Sequence, residues 1–347
     1  MKLGIIGLPR SGKNTLFEAL TKTKSAAESK MENRMATVRV PDLRIDTLSE
    51  IYDPPKTTYA QIDYFLPGMA VSRNDNSKEQ SIWTKARDSD ALIHVVRNFE
   101  ESGYGHPDPP ADFRKLDEEL IFSDLIVADK RLERLDADLK KNRKIDQTEY
   151  GLIQECKSVL DGGTPLRRHP NLASAPALRG YTFLSAKPTL AVLNTEDHGN
   201  GLPDGFEAQS QERCLSIKGK VERELAQMSD DDAVEFLAEY GIAESAMTVV
   251  IRESYVLLGL MSFFTVGEDE VRAWTIKTGT RAVDAAEAIH SDIKKGFIRA
   301  EVVAYDNLIE AGSYAEAKKR GVVRLEGKEY VMRDGDVVEF RFNVGKG

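Results

Sequence analysis

The residues with the most chemical content lie close to the N-terminus. Gly7-Leu8-Pro9-Arg10-Ser11-Gly12-Lys13 spells the GxxxxGK part of a Walker A pattern, between the apolar run Leu3 to Ile6 and the helix-like stretch Thr15 to Thr21. Glycines let consecutive backbone N–H groups turn inward around phosphate oxygens, and the helix start adds the positive end of its dipole. The Lys13 ammonium can then meet the β- and γ-phosphates. Pro9, Arg10, Ser11, Gly12, Lys13, Asn14 and Thr15 are the predicted phosphate-side residues. The last position of the pattern calls for Ser or Thr, whose hydroxyl contacts a magnesium ion, and here it is Asn14. An amide oxygen can ligate a hard cation, while the Thr15 hydroxyl sits about 100° further round the helix. Asn14 or Thr15 is the candidate magnesium ligand, neither in the standard form.

Other reactive residue types form no constellation. Cys156 and Cys214 lie in no CxxC or metal-ligand spacing and read as two reduced thiols. His94 falls in the apolar run Ala91 to Val96, where a core histidine is expected, and His290 stands at a helix boundary. Trp83 and Trp274 read as packing residues, and Asp230-Asp231-Asp232 suits a helix start better than a metal. No Ser-His-Asp, Cys-His or paired-carboxylate arrangement can be assembled.

The elements that must carry these residues read as several domains, since 347 residues exceed one ordinary core of about 100–200 residues. Short apolar runs at Leu3–Ile6, Ala91–Val96 and Thr189–Leu193 fit a doubly wound, mainly parallel sheet of an α/β fold. Between the last two, residues 116–160 turn charged and helical, with Leu125, Leu132, Leu135 and Leu139, then Leu152, Cys156 and Val159, as an apolar stripe. An inserted antiparallel coiled-coil hairpin follows, its tip near Asn142 to Gln147 rich in Lys140, Lys141, Arg143 and Lys144. That tip is either a solvated charge run or a surface for RNA. From about Thr265, Val271–Ile276, Phe297–Ala304, Glu329–Met332 and Val337–Phe342 read as strands and Ala282–His290 and Ala315–Arg320 as helices, a β-grasp, ubiquitin-like unit. The net charge of −9 argues against a nonspecific nucleic-acid binder, and no apolar run approaches a membrane span. Met1 leads at once into strand-like residues, so a cytoplasmic protein is expected.

Phe264-Thr265-Val266-Gly267, Val271 to Ile276, Ile289-His290-Ser291-Asp292, Lys295 to Glu301 and Asp334 to Asn343 form a set of separated stretches. Together they are similar to the TGS domain of the YchF branch of the Obg-like ATPases. The resemblance implies a nucleotide-binding domain over 1–115 and 180–264, a hairpin insertion over 116–179 and a TGS domain over 265–347. It also implies that Asn194-Thr195-Glu196-Asp197 corresponds to the base-reading NxxE-type motif, with the shorter Asp197 in the acidic position, and that Ser216 lies in the segment closing over the base. Asn194, Glu196, Asp197 and Ser216 thus join the candidate nucleotide site, with ATP or GTP as ligand. The switch regions depart from the family. The stretch from Ser25 to Arg39 is shortened and lacks a clear sensor threonine, and Phe65-Leu66-Pro67-Gly68 puts Phe65 where DxxG has its magnesium-holding Asp. Asp63 is two residues out of register. The expectation is a nucleotide binder with weak or absent hydrolysis, associated with ribosome or RNA through the hairpin tip and TGS domain, without DNA specificity. Two alternatives are an active Mg-dependent ATPase or GTPase, in which Asn14, Thr15 or Asp63 substitutes for the usual ligands, and a nucleotide-free interaction module.

Overall fold

Two six-stranded sheets organise the residues described by this computed structural model, namely 1–24, 32–68, 83–101, 103, 105–196 and 201–343. The chain forms two compact units, one from Met1–Thr37 with Asp63–Val250 and one from Val38–Ile62 with Ile251–Gly347.

The first sheet contains β1 (Lys2–Ile6), β2 (Arg34–Arg39), β4 (Gln61–Leu66), β5 (Ala91–Asn98), β6 (Thr189–Thr195) and β7 (Arg213–Ile217), in the order β2-β4-β1-β5-β6-β7. β1 runs parallel to both β4 and β5, and β5–β6–β7 continue in parallel. Continuous burial along β5 and β6 matches their unbroken apolar sequence, as a sheet covered on both faces requires. His94 belongs to that core: it stacks on Phe113 at 4.6 Å, and burial drives its pKa down to about 3, so it is neutral. The chain leaves β1 for β2 at one edge of the sheet and later crosses from β4 to β5 on the other side of β1. The strand order thus reverses beside β1, and its carboxyl end is the switch point where such folds bind ligands. Gly7 to Gly12 depart from that end into helix α1 (Lys13–Thr21).

The hairpin is formed by α3 (Pro109–Lys140) and α4 (Gln147–Asp161), which follow α2 (Leu43–Tyr52) in the chain. α3 begins earlier than the periodicity predicts because Pro109 and Pro110 suit the first helical positions and Asp108 caps them, accepting from the Ala111 N–H. Asp146 caps α4 through the N–H groups of Thr148 and Glu149. The packed seam is Ile121, Ala128, Ile153, Cys156 and Leu160, flanked by Leu125, Leu132 and Leu152, whereas Leu139 faces solvent. Arg131 grips Glu149 with two hydrogen bonds of 2.9 and 2.7 Å, closing the hairpin's polar side. At the root of α3, Asp124 is fully buried and accepts from Arg87 and from the backbone N–H groups of Leu184 and Ser185.

The second sheet has the order β11-β10-β12-β8-β9-β3, from β3 (Thr57–Thr58), β8 (Leu260–Val266), β9 (Val271–Lys277), β10 (Phe297–Ala304), β11 (Arg324–Glu326) and β12 (Asp336–Phe342). The helix Ala282–Ile289 lays Ala282, Ala285 and Ala286 on Phe263, Ile276, Phe297 and Val338, small residues that admit a close helix–sheet approach. This mixed sheet with a helix across it is the expected β-grasp arrangement. The predicted strand Glu329–Met332 is instead an irregular run with one bridge, Arg281 to Val331, because Tyr330 O and Met332 N bond to Ala282 N and Thr280 O beside the helix start. Arg324–Glu326 takes the place beside β10.

Candidate functional site

The turn after β1 is held open by close backbone approaches. Arg10 adopts a left-handed conformation at φ 62°, a strained choice for a side-chain-bearing residue. Gly12 at φ 97° caps α1, and a Cβ there would lie 2.1 Å from Asn194 Nδ2. The Lys13 ammonium folds back to donate to Gly7 O and Leu8 O, both at 2.7 Å. Burial pushes its pKa down to about 8, an effect that the charge of Glu119 on α3 partly reverses. Anionic phosphate would reclaim that proton and offer the ammonium a better partner than two carbonyls.

Two cavities flank this turn. One, of about 540 Å³, is walled by Leu8, Pro9, Arg10, Gly12, Lys13, Asn14 and Thr15, and by Leu66, Pro67, Trp83, Leu116 and Glu119. The other, of about 420 Å³, shares Arg10, Gly12 and Thr15 and is completed by Phe99, Glu100, Glu101, Asn194, Thr195, Glu196, Lys220 and Arg223. Asn194 is buried at the end of β6 and spans two elements: Nδ2 donates to Ser11 O at 3.2 Å, and Oδ1 accepts from Gly219 N at 3.1 Å. It therefore fixes the turn against the helix Gly219–Leu225 while lining the second cavity. Glu196 accepts from the Glu100 N–H at 2.6 Å and Arg10 pairs with Glu101 at 2.9 Å, tying together the loops after β5 and β6.

The other sequence-predicted residues fall into two groups. Ser11 is buried, its hydroxyl without a hydrogen-bond partner among the described residues, and it walls neither cavity. Ser216 is half-buried on β7, in register with Leu193, also outside both walls. Asp197 lies outside the described residues. Phe99, Lys220 and Arg223 are not foreseen: each is an ordinary residue type in a loop or a short helix, and only the fold brings it to the cavity.

Residues 260–343 match the family model YchF-GTPase_C, described as "Protein of unknown function (DUF933)". A Ribosome-binding ATPase YchF of Bacillus subtilis (strain 168) is 37% identical over 365 residues, which cover 98% of this chain and 99% of the relative. The chain belongs to the YchF family. A protein of the same name from Pasteurella multocida (strain Pm70) is 37% identical over 369 residues, covering 99% of both chains. Among solved structures, the Schizosaccharomyces pombe YchF GTPase matches with a TM-score of 0.82 at 26% identity, over 98% of this chain and 97% of that one.

Within this YchF chain two of the places that could hold magnesium, Asn14 and Asp63, do not fit the ion, while Thr15 lines the phosphate-side cavity. Asn14 Oδ1 already accepts a hydrogen bond from the guanidinium of Arg34 on β2. Asp63 cannot substitute: it pairs with Lys2 at the opposite end of β1 from the phosphate turn and accepts from Thr37 Oγ1 at 2.6 Å. Ile6 lies four strand steps beyond Lys2, about 13 Å at the usual rise. Leu66 and Pro67 stand on the cavity wall there, and they offer no side-chain oxygen. Among the described residues, no group of three or more His, Cys, Asp or Glu could hold a metal.

Proposed function

We propose that this chain is a nucleotide-binding YchF protein, taking ATP and/or GTP, that acts as a ribosome- or RNA-associated regulator of translation or stress with weak or absent hydrolysis. The observation that carries it is the Lys13 ammonium, seated on loop carbonyls where two cavities meet at Arg10, Gly12 and Thr15. The phosphate tail belongs in the larger cavity, against the α1 N-terminus and Lys13. The base belongs in the smaller one, where Phe99 offers a ring and Glu100 and Glu196 surround the mouth with carboxylates suited to exocyclic amino groups. Thr15 stands at the junction of the two.

The relatives named Ribosome-binding ATPase YchF support both the nucleotide and the ribosome in this reading. The hydrolytic step is where the chain is proposed to differ, because neither Asn14 nor Asp63 supplies a seat for a metal that would neutralise developing charge. Magnesium, were it bound through the phosphates, would supply that neutralisation. By role, 1–115 and 180–264 would bind nucleotide, 116–179 would form the hairpin and 265–347 the TGS domain. The hairpin's long helix places Leu116 and Glu119 in the phosphate-side wall, a direct route by which nucleotide occupancy would bias the hairpin. Association with ribosomes implies a cytoplasmic site of action, and among the described residues no helix is long and apolar enough to cross a membrane.

Isothermal calorimetry with ATP and GTP tests the nucleotide, and phosphate release under multiple turnover tests the chemistry. Binding with Kd below about 100 μM and turnover well under the ordinary enzyme median of about 10 s⁻¹ is expected. An ordinary rate abolished by Lys13→Ala would favour the active-ATPase alternative, and no binding of either nucleotide the pure interaction module.

A further inference from the structure

Resting on the nucleotide-binding reading, we propose that Arg34 replaces the divalent cation: its guanidinium, docked on the amide oxygen of Asn14, is the counter-charge for the β- and γ-phosphates, so the pocket binds a nucleoside di- or triphosphate without metal. The first argument is position. Asn14 follows Lys13 and lines the phosphate-side cavity, and in the Walker A pattern the side-chain oxygen at this place faces the ion. In this chain that oxygen faces Arg34 Nη2 instead. A metal ion and a guanidinium N–H compete for the same lone pairs and repel each other, so a magnesium ion would have to expel the arginine.

The second argument is that the arginine is fixed before any ligand arrives. Its side chain is 13% exposed, with Nη1 3.9 Å from Glu18 Oε1 and the guanidinium 4.8 Å from the centre of the Phe17 ring. Asn14, Phe17 and Glu18 are spaced i, i+3, i+4, one face of α1, so the helix itself builds the cradle. The ring excludes water from one side, and the carboxylate, at the long limit of an ion pair, holds the far nitrogen while the near one is turned to the cavity-lining amide. A guanidinium keeps its charge at any physiological pH and is weakly hydrated, which suits it to anion binding beside an apolar wall.

The third argument is that β4 brings no carboxylate level with the turn. Asp63 lies at the far end of its strand, and the positions level with the turn are Leu66 and Pro67. On this proposal the chain has exchanged a recruited charge for a built-in one, held behind the cavity-lining Asn14 amide. Binding therefore needs no free magnesium.

The test is calorimetry of the full chain with ATP and ADP, in excess EDTA and in excess magnesium. Wild type is expected to bind with Kd values within about threefold of each other, whereas Arg34→Gln loses about tenfold or more in EDTA, the size of a lost interaction with a charged group. Arg34→Lys should recover part of that loss. Asn14→Asp, which sets a carboxylate against the guanidinium and cancels its charge, should weaken binding in EDTA and make it magnesium-dependent. Circular dichroism and thermal unfolding of each variant without nucleotide confirm that the fold persists. Wild-type binding that requires magnesium, or Arg34→Gln and Asn14→Asp binding as tightly as wild type in EDTA, would overturn the proposal while leaving the nucleotide reading standing. Absence of binding under both conditions would remove both.

Discussion

Lys13 is the residue whose charge state the site leaves most open. Its pKa falls to about 8 chiefly because it is buried, so from there to 10.5 the folded chain has released a proton that the unfolded chain retains. The unbound protein therefore gains stability as pH rises through that window. Phosphate requires the charged form, so binding at pH 8 should take up about half a proton, and near pH 7 about a tenth or less. Calorimetric enthalpies in buffers of different ionisation heat read this directly, and equal proton uptake at the two pH values would refute it. Lys13→Arg should remove the buffer dependence. Lys13 and its flanking glycines are legible in the sequence because the phosphate turn is local, with every essential group inside seven consecutive residues. Arg34 is not, since it reaches Asn14 across 20 positions, and nothing in the spacing distinguishes it from a surface arginine. The displacement of Asp63 hides for a related reason: its distance from the site depends on strand register with β1, a pairing that no short motif encodes.

At the scale of elements, the hairpin's attachment rests on buried charge. Asp124 satisfies Arg87 and two backbone N–H groups from within α3, while burial raises its pKa against the pull of those partners. Asp124→Ala takes the carboxylate from Arg87, which keeps its bonds to Thr182 and Ser123, and leaves the N–H groups of Leu184 and Ser185 without that acceptor, a loss of roughly 3–5 kcal/mol. Urea denaturation monitored by far-UV circular dichroism should show it, and a loss below about 1 kcal/mol would mean that water replaces the carboxylate. A second such cluster, Arg167 with Asp117 and Glu212, joins the same helix to the segments before β6 and β7. The sequence announces the two hairpin helices through leucine periodicity, and three of the parallel strands, β1, β5 and β6, through short apolar runs, but not β4 or β7. It does not announce Asp117 or Asp124 as core, because a carboxylate on a charged helix carries no sign of its buried partners. Glu329–Met332 looks like a strand for the converse reason: Tyr330 and Val331 are strand-favouring residues, but the backbone groups are claimed by a helix start.

Over the whole molecule, an acidic chain of net charge −9 concentrates four exposed cations, Lys140, Lys141, Arg143 and Lys144, at the connection between α3 and α4. Among the described residues, Arg143 pairs with the Asp138 carboxylate at 3.0 Å. If this tip meets ribosomal RNA as proposed, changing all four to Glu should cut cosedimentation with ribosomes at least about tenfold near 0.1 M salt and flatten its salt dependence by about 0.7–0.9 log units per lost phosphate contact. Unchanged pelleting would move the contact elsewhere on the chain. The family's architecture is readable from sequence at this scale because the YchF resemblance extends across nearly the full length. The pairing of Val38–Ile62 with the C-terminal residues in one compact unit is not readable, since that segment carries no motif of its own.

The Asn194 amide has a consequence for how this chain can diverge. A methyl group at Gly12 would sit 2.1 Å from one end of that amide, and one at Gly219 would sit 2.4 Å from the other. Positions 12, 194 and 219 are thus an epistatic trio: neither glycine can drift while the asparagine stays, and lineages that enlarge one must first shrink its neighbour in space.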